Sequence, residues 1–262
     1  MPAMQMTVST GFPSKCCPKM PMSDLLYSIE GLEKGREGAQ GYCLSIPRFT
    51  LKRGEKVALT GESGCGKSTA LDMLGFVLAP DRASRFLFES EEKRWDIWDL
   101  YRRKASEQLC ALRLAHLGYV LQTGELLPFL SVAQNMTLVA RMRGMEENDA
   151  LERAHALALR LGIAQRMQAQ PATLSVGERQ RVAIVRALLP KPEVILADEP
   201  TAALDPMHAQ TVLETFLEAV DEEGATLIMV SHNVHWVRSS TLREWHFDLE
   251  KTADGTHAVL CS

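Results

Sequence analysis

Gly61-Glu62-Ser63-Gly64-Cys65-Gly66-Lys67-Ser68-Thr69 reads G-x-x-x-x-G-K-[ST]. That spacing is informative only between a strand and a helix; elsewhere it is a glycine-rich turn. Both flanks are in place here. Lys56-Val57-Ala58-Leu59-Thr60 is a short apolar run with strand character, and Thr69 to Leu78 has helical spacing that ends near Pro80. Gly61, Gly64 and Gly66 open backbone conformations closed to other residues. Successive N–H groups then face one concavity and, with the helix N-terminus, hold phosphate oxygens. Lys67 supplies a point charge for the β/γ-phosphates and Ser68 a hydroxyl for Mg²⁺. The candidate nucleotide loop thus comprises Gly61, Glu62, Ser63, Gly64, Cys65, Gly66, Lys67, Ser68 and Thr69.

A second stretch, Val194-Ile195-Leu196-Ala197-Asp198-Glu199-Pro200, is an apolar strand ending in two acids. Alone, it reads as a strand edge with two solvated carboxylates. Beside a phosphate loop, Asp198 is placed to hold Mg²⁺ and Glu199 to polarise a water as general base.

Shortly before that strand, Leu174-Ser175-Val176-Gly177-Glu178-Arg179-Gln180-Arg181 resembles the signature motif of ABC-type ATPases. Gln122, Asp205 and His232 fall where that family has its Q-loop, D-loop and H-loop. The similarity runs from about Ile29 to about Ser239, with five motifs in one order. Within the family, Leu117-Gly118-Tyr119-Val120-Leu121-Gln122, Leu126-Leu127-Pro128 and Gln134-Asn135 look like the lipoprotein-release and macrolide-exporter type of ATPase subunit.

The resemblance implies an α/β fold: a P-loop NTPase core with a parallel sheet, an N-terminal antiparallel β subdomain and an inserted α-helical subdomain. It implies an ATP hydrolase that uses ATP and Mg²⁺. Gln122 would touch Mg²⁺ and the attacking water, and His232 the γ-phosphate. Ser175 and Gly177 would close over ATP held by a second copy in a head-to-tail dimer, with Asp205 aligning the two subunits. Separate integral-membrane permease subunits would be the partners. Alone, a Gln or a His at a strand end carries no such meaning, and helix capping before Pro206 accounts equally for Asp205. Two positions depart from the family pattern: Val176 stands where it has Gly, and Glu178, an added anion at the phosphate end, where it often has Gln.

The 262 residues suit one large α/β domain; there is one P-loop and no internal repeat. Hydrophobic residues make up 46%, enough for a sizeable core, and a net charge of −4 gives no broad electrostatic case for nucleic acid. Cys16, Cys17, Cys43, Cys65, Cys110 and Cys261 form no C-x-x-C pair, which suits reduced cytosolic thiols over a zinc site. Cys65, inside the phosphate loop, is either a tolerated small residue or a thiol whose pKa the local positive potential lowers. No apolar run approaches the ~20 residues of a bilayer span, and the N-terminus lacks a signal-peptide core. The expected placement is the cytoplasmic face of the inner membrane, held there through partner subunits.

Residues 1–22, rich in Met, Pro, Ser and Lys, read as a disordered tail, and 23–262 as a single ATPase domain. Ser28 to Leu32 and Leu44 to Leu51 read as antiparallel strands. The resembled family places an aromatic near here to stack on adenine; Lys34 to Gln40 hold none, and Tyr42 is the nearby candidate. Arg82 to Leu114 reads as an exposed arm followed by a helix over Leu100 to Ala115. Leu126, Leu127, Phe129 and Leu130 either seal a core or form a groove for a partner helix. Ser131 caps a helix over Val132 to Met142 that Gly144 ends, and a second runs Glu146 to Leu161; these fall in the helical subdomain at about 123–176. Helices then follow at Glu178 to Leu189 and Pro206 to Glu223. After an apolar strand at Ala225 to Val230, Leu242 to Leu249 and Thr256 to Cys261 form a closing hairpin.

Three functional readings follow. One is the energising subunit of a transporter or envelope machine. Another is an ABC-type ATPase acting on nucleic acid or ribosomes, although the inserts that such relatives carry are missing. The third is a regulatory nucleotide-binding module with little turnover.

Overall fold

The apolar run before the phosphate loop becomes an interior strand of a mixed sheet. A computed structural model describes residues 24–35, 41–201, 206–252 and 255–262. In chain order its elements are β1 (Leu25–Gly35), β2 (Tyr42–Lys52), β3 (Lys56–Gly61), α1 (Lys67–Leu74), β4 (Arg85–Glu89), β5 (Arg94–Asp96), α2 (Ile97–Arg102), α3 (Ser106–His116) and β6 (Leu117–Val120). Then come α4 (Val132–Met142), α5 (Glu147–Arg160), α6 (Val176–Leu188), β7 (Val194–Asp198), α7 (Pro206–Glu222), β8 (Thr226–Val230), α8 (Val234–Ser239), β9 (Arg243–Thr252) and β10 (Gly255–Cys261). The reading of residues 1–22 as a tail lies outside the described residues, as does Asp205.

Among the described residues the strands form one sheet in the order β5-β4-β1-β2-β10-β9-β3-β8-β7-β6. From β9 to β6 every pairing is parallel. The expected antiparallel pair β1–β2 is continuous with this core through β10, which lies parallel to β2 and antiparallel to β9. Parallel strands are buried on both faces, which is why β7 and β8 read as unbroken apolar runs. Val57, Leu59, Leu196 and Ile228 point to a core shared with α1, α2 and α3, whereas Ala58, Ile195, Leu227 and Met229 point to one shared with α4, α5, α6 and α7. This two-sided burial makes the sheet a rigid platform for the loops at its C-terminal edge.

Three expectations need correction. The helix after the phosphate loop stops at Leu74 rather than Leu78. Gly75 caps it where a Cβ would come within 2.8 Å of Leu196, and Phe76 turns the chain at φ 57° so that its ring enters the core. The supposed exposed arm extends the sheet: β4 pairs with β1, β5 pairs with β4, and Phe86 and Phe88 are fully buried. Arg85-Phe86-Leu87-Phe88-Glu89 has the two-residue alternation of such a strand. The single helix at Leu100 to Ala115 is in fact α2 and α3, broken at Lys104, whose φ is 53°.

The loop after β6 divides between core and surface. Leu126 packs on the helical core while Phe129 is 76% exposed. Fully buried Asn135 on α4 pins it: Leu127 N–H donates to Asn135 Oδ1 at 2.8 Å, and Asn135 Nδ2 donates to the Leu127 carbonyl at 3.0 Å.

Candidate active site

β3 delivers the chain into the phosphate loop, and Gly66 starts α1 with φ 93°. A Cβ at Gly66 would lie 2.4 Å from Leu44 Cδ1 and 2.7 Å from Tyr42 Oη, so both φ and space demand glycine there. Lys67 is buried, and its Nζ donates to the carbonyls of Gly61 (2.9 Å) and Glu62 (2.7 Å). Ser63, Gly64, Gly66, Lys67, Ser68 and Thr69 line a cavity of about 650 Å³. Gln122, Glu199 and His232 line the same cavity. Gly61, Glu62 and Cys65 do not; the first two instead hold Lys67 through their carbonyls.

The second strand places its acids differently. Asp198 is the last residue of β7 and buried; Ser68 hydrogen-bonds it, and its Oδ1 is buried with no protein partner. Burial pushes its carboxyl above the ordinary range and Asp72 adds to this, against the pull of Ser68, Lys67 and His232. Glu199 follows at φ 46°, a left-handed conformation unusual for a side-chain-bearing residue, and its N–H donates to Val230 O at 3.2 Å. Its Oε1 lies 2.6 Å from His232 Nε2.

An unpartnered, buried carboxylate oxygen beside a serine hydroxyl is a fit for a hard divalent cation. Among the described residues no group of three or more His, Cys, Asp or Glu forms a self-contained metal cage. A cation there would therefore draw further oxygens from phosphates and water, as Mg²⁺ does.

Ser175 and Gly177 sit at the start of α6 and do not line the cavity. Ser175 Oγ accepts from Glu178 N–H (3.2 Å), while Glu178 Oε2 accepts from Ser175 N–H (2.8 Å). This reciprocal capping box satisfies two helix-end donors. Arg166 Nε donates to Glu178 Oε1 at 2.8 Å. The Ser175 amide, and then Arg166, hold the Glu178 carboxyl below its usual value. Glu178 thus stays an anion at this helix end, and the Ser175 amide and Arg166 compensate its charge.

Cys65 also differs from one reading. It is fully buried with Sγ 3.8 Å from Lys67 Nζ. Burial pushes its thiol up and outweighs the lysine, so the expected lowering does not occur.

Lys34, Gly35 and Leu78 line the cavity without having been singled out, and Tyr42 lines it as well. The end of β1 and the segment after α1 meet only in the folded chain, and no sequence pattern announces this.

Residues 44–202 match the family model described as ABC transporter. A lipoprotein-releasing system ATP-binding protein LolD of Idiomarina loihiensis is 37% identical over 81% of this chain and 90% of its own length. A macrolide export ATP-binding/permease protein MacB of Yersinia pestis bv. Antiqua is 36% identical over 79% of this chain, which spans 31% of that longer protein. Among solved structures, the ATP-binding cassette MJ0796, dimeric in a post-hydrolysis state with ADP and Pi, superposes with a TM-score of 0.69 at 27% identity, over 81% of this chain and 90% of its own.

Proposed function

This chain belongs to the ABC transporter ATP-binding family and hydrolyses ATP, and from that premise we propose that it energises separate transmembrane subunits through ATP-driven dimerisation. The carrying observation is the single cavity that unites Lys67, Ser68, Gln122, Glu199 and His232.

Phosphoryl transfer to water needs positioned charge more than covalent chemistry. The amides of the Gly61–Thr69 loop and Lys67 bind and orient the phosphates. Ser68 and Asp198, with Gln122, would hold Mg²⁺, which when bound neutralises charge developing on the β/γ-phosphates. Glu199 takes a proton from the attacking water at its carboxylate, and His232 and Gln122 orient water and γ-phosphate. Ser175 and Gly177 close over ATP on a second copy, and Asp205 aligns the pair. The dimeric state of the MJ0796 cassette supports this arrangement.

We infer a partner surface along α4. Two shallow cavities of about 350 and 370 Å³ share Met142, which is 62% exposed. Leu130 and Leu138 line one; Cys110, Leu114 and Leu121 line the other. This apolar surface suits a helix of a permease subunit. No helix among the described residues is long and apolar enough to cross a membrane, so we place the chain on the cytoplasmic face of the inner membrane through such a partner. Residues 23–262 then act as one ATPase domain, with about 123–176 as its helical subdomain.

The Glu199→Gln variant tests this. It is expected to bind ATP and dimerise but lose turnover by about 10²–10⁴-fold, the usual worth of a general base. Near-normal phosphate release would refute the assignment. Tagged Glu199→Gln protein with ATP and Mg²⁺ should recover an integral-membrane subunit from solubilised membranes. Recovery of nucleic acid or a soluble partner instead would refute the transporter reading alone.

A further inference from the structure

One wall of the cavity carries a cation. A nucleotide whose phosphates lie on Gly64, Gly66, Lys67 and Ser68, with the terminal one toward Glu199 and His232, must direct its base to the remaining wall. Among the described residues that wall is built from Lys34 and Gly35 at the end of β1, Tyr42 at the start of β2, and Leu78 beyond α1.

Lys34 is held in place. Its Nζ donates to Asp81 Oδ1 at 2.6 Å, and Gly35 N–H donates to Asp81 Oδ2 at 2.8 Å. The segment bearing Asp81 is fastened to β1 by two backbone bonds of 2.9 Å, Asp81 N–H to Glu33 O and Glu33 N–H to Arg82 O. The Lys34 side chain is only 19% exposed. An ammonium has three donors, and Asp81 takes one.

A lysine here treats the bases unequally. An aromatic plate stacks on any base, because every base has a π-face. Guanine, however, presents two acceptors, N7 and O6, along one edge, where adenine presents the N7 acceptor beside an N6 amino donor. A fixed ammonium therefore meets two acceptors in guanine and one acceptor plus a repelled donor in adenine. Tyr42 and Leu78 supply apolar surface to either base.

We propose that this site accepts guanine nucleotides at least as well as adenine nucleotides, with Lys34, oriented by Asp81, as the specificity-determining residue. The proposal rests on the reading of this cavity as the nucleotide site. The reaction is unchanged: water attacks the γ-phosphorus of GTP, the β–γ phosphoanhydride bond breaks, and GDP and inorganic phosphate leave.

Equilibrium binding of ATP and of GTP with Mg²⁺ to the full chain carrying Glu199→Gln tests it without turnover. GTP is expected to bind from equally tightly to about tenfold more tightly than ATP. Adding Lys34→Met should shift the ratio toward ATP by about threefold or more, while Lys34→Arg should preserve it. Tighter binding of ATP than GTP in the parent, or an unaltered ratio in Lys34→Met, overturns the proposal. Binding of neither nucleotide would overturn the reading of the cavity itself, a distinguishable result.

Discussion

His232 Nε2 stands 2.6 Å from Glu199 Oε1. The register explains why: β7 and β8 are parallel neighbours with Asp198 opposite Val230, so Glu199 and His232 leave the same sheet edge one and two residues later. A pair at that distance acts as a unit. Glu199→Gln and His232→Ala should each cost about 10²-fold or more in turnover, and the double variant less than the product of the two losses. Single-turnover phosphate release checks this; fully multiplicative losses would separate the two roles.

Lys67 is preset by the Gly61 and Glu62 carbonyls. Losing its charge-assisted contacts in Lys67→Ala should weaken nucleotide affinity about ten- to a hundredfold, measurable by isothermal titration. Gly66→Ala should fail earlier, in folding. The new Cβ meets Leu44 and Tyr42 and forces φ 93° on a side-chain-bearing residue, a strain of about 1–3 kcal/mol visible as a lowered Tm.

Cys65 is fully enclosed with a raised pKa, whereas Cys110 and Cys261 are exposed. Brief iodoacetamide treatment of the native protein should modify Cys110 and Cys261 well before Cys65, as read by peptide mass spectrometry, because the reagent reaches exposed thiols and Cys65 is enclosed. ATPase activity should survive mild peroxide for the same reason. Early modification of Cys65 would show the loop to be open.

Glu178 carries a pH signature. Its folded pKa lies below the ordinary 4.5, so its contribution to stability is fully present above that value and is lost as pH falls through the folded pKa. Glu178→Gln keeps a capping acceptor but loses the charge facing Arg166. The wild type should exceed it at neutral pH by about 0.2–1 kcal/mol, the range of exposed ion pairs, and the gap should close in acid. Chemical denaturation at pH 7 and pH 3 measures both.

Much was legible in the linear chain because it is written in local hydrogen bonding. Ser131 and Gln134 close a capping box on α4, whose span matches the one expected from Ser131 and Gly144. The apolar strands β3, β6, β7 and β8 of the parallel core announce themselves by two-sided burial. The strands β4 and β5, at one end of the sheet, do not. Their charged flanks resemble a solvated arm, and only pairing with β1 gives Phe86 and Phe88 a core to enter. Arg166 as the counter-charge of Glu178, and Asp81 as the clamp on Lys34, were equally invisible, because each depends on how a loop returns to a distant element.

The phosphate loop, the helix caps and the alternation of apolar strands follow from the residues alone, since each depends on neighbours a few positions away. The arrangement of the candidate catalytic residues does not. Gln122, Glu199 and His232 end or follow β6, β7 and β8, and they share a cavity with Lys34 from β1 only because the sheet holds its strands in fixed parallel register while its C-terminal edge faces the loop after β3. Backbone ladders and two-sided burial set those positions, and both are long-range properties that no local pattern encodes.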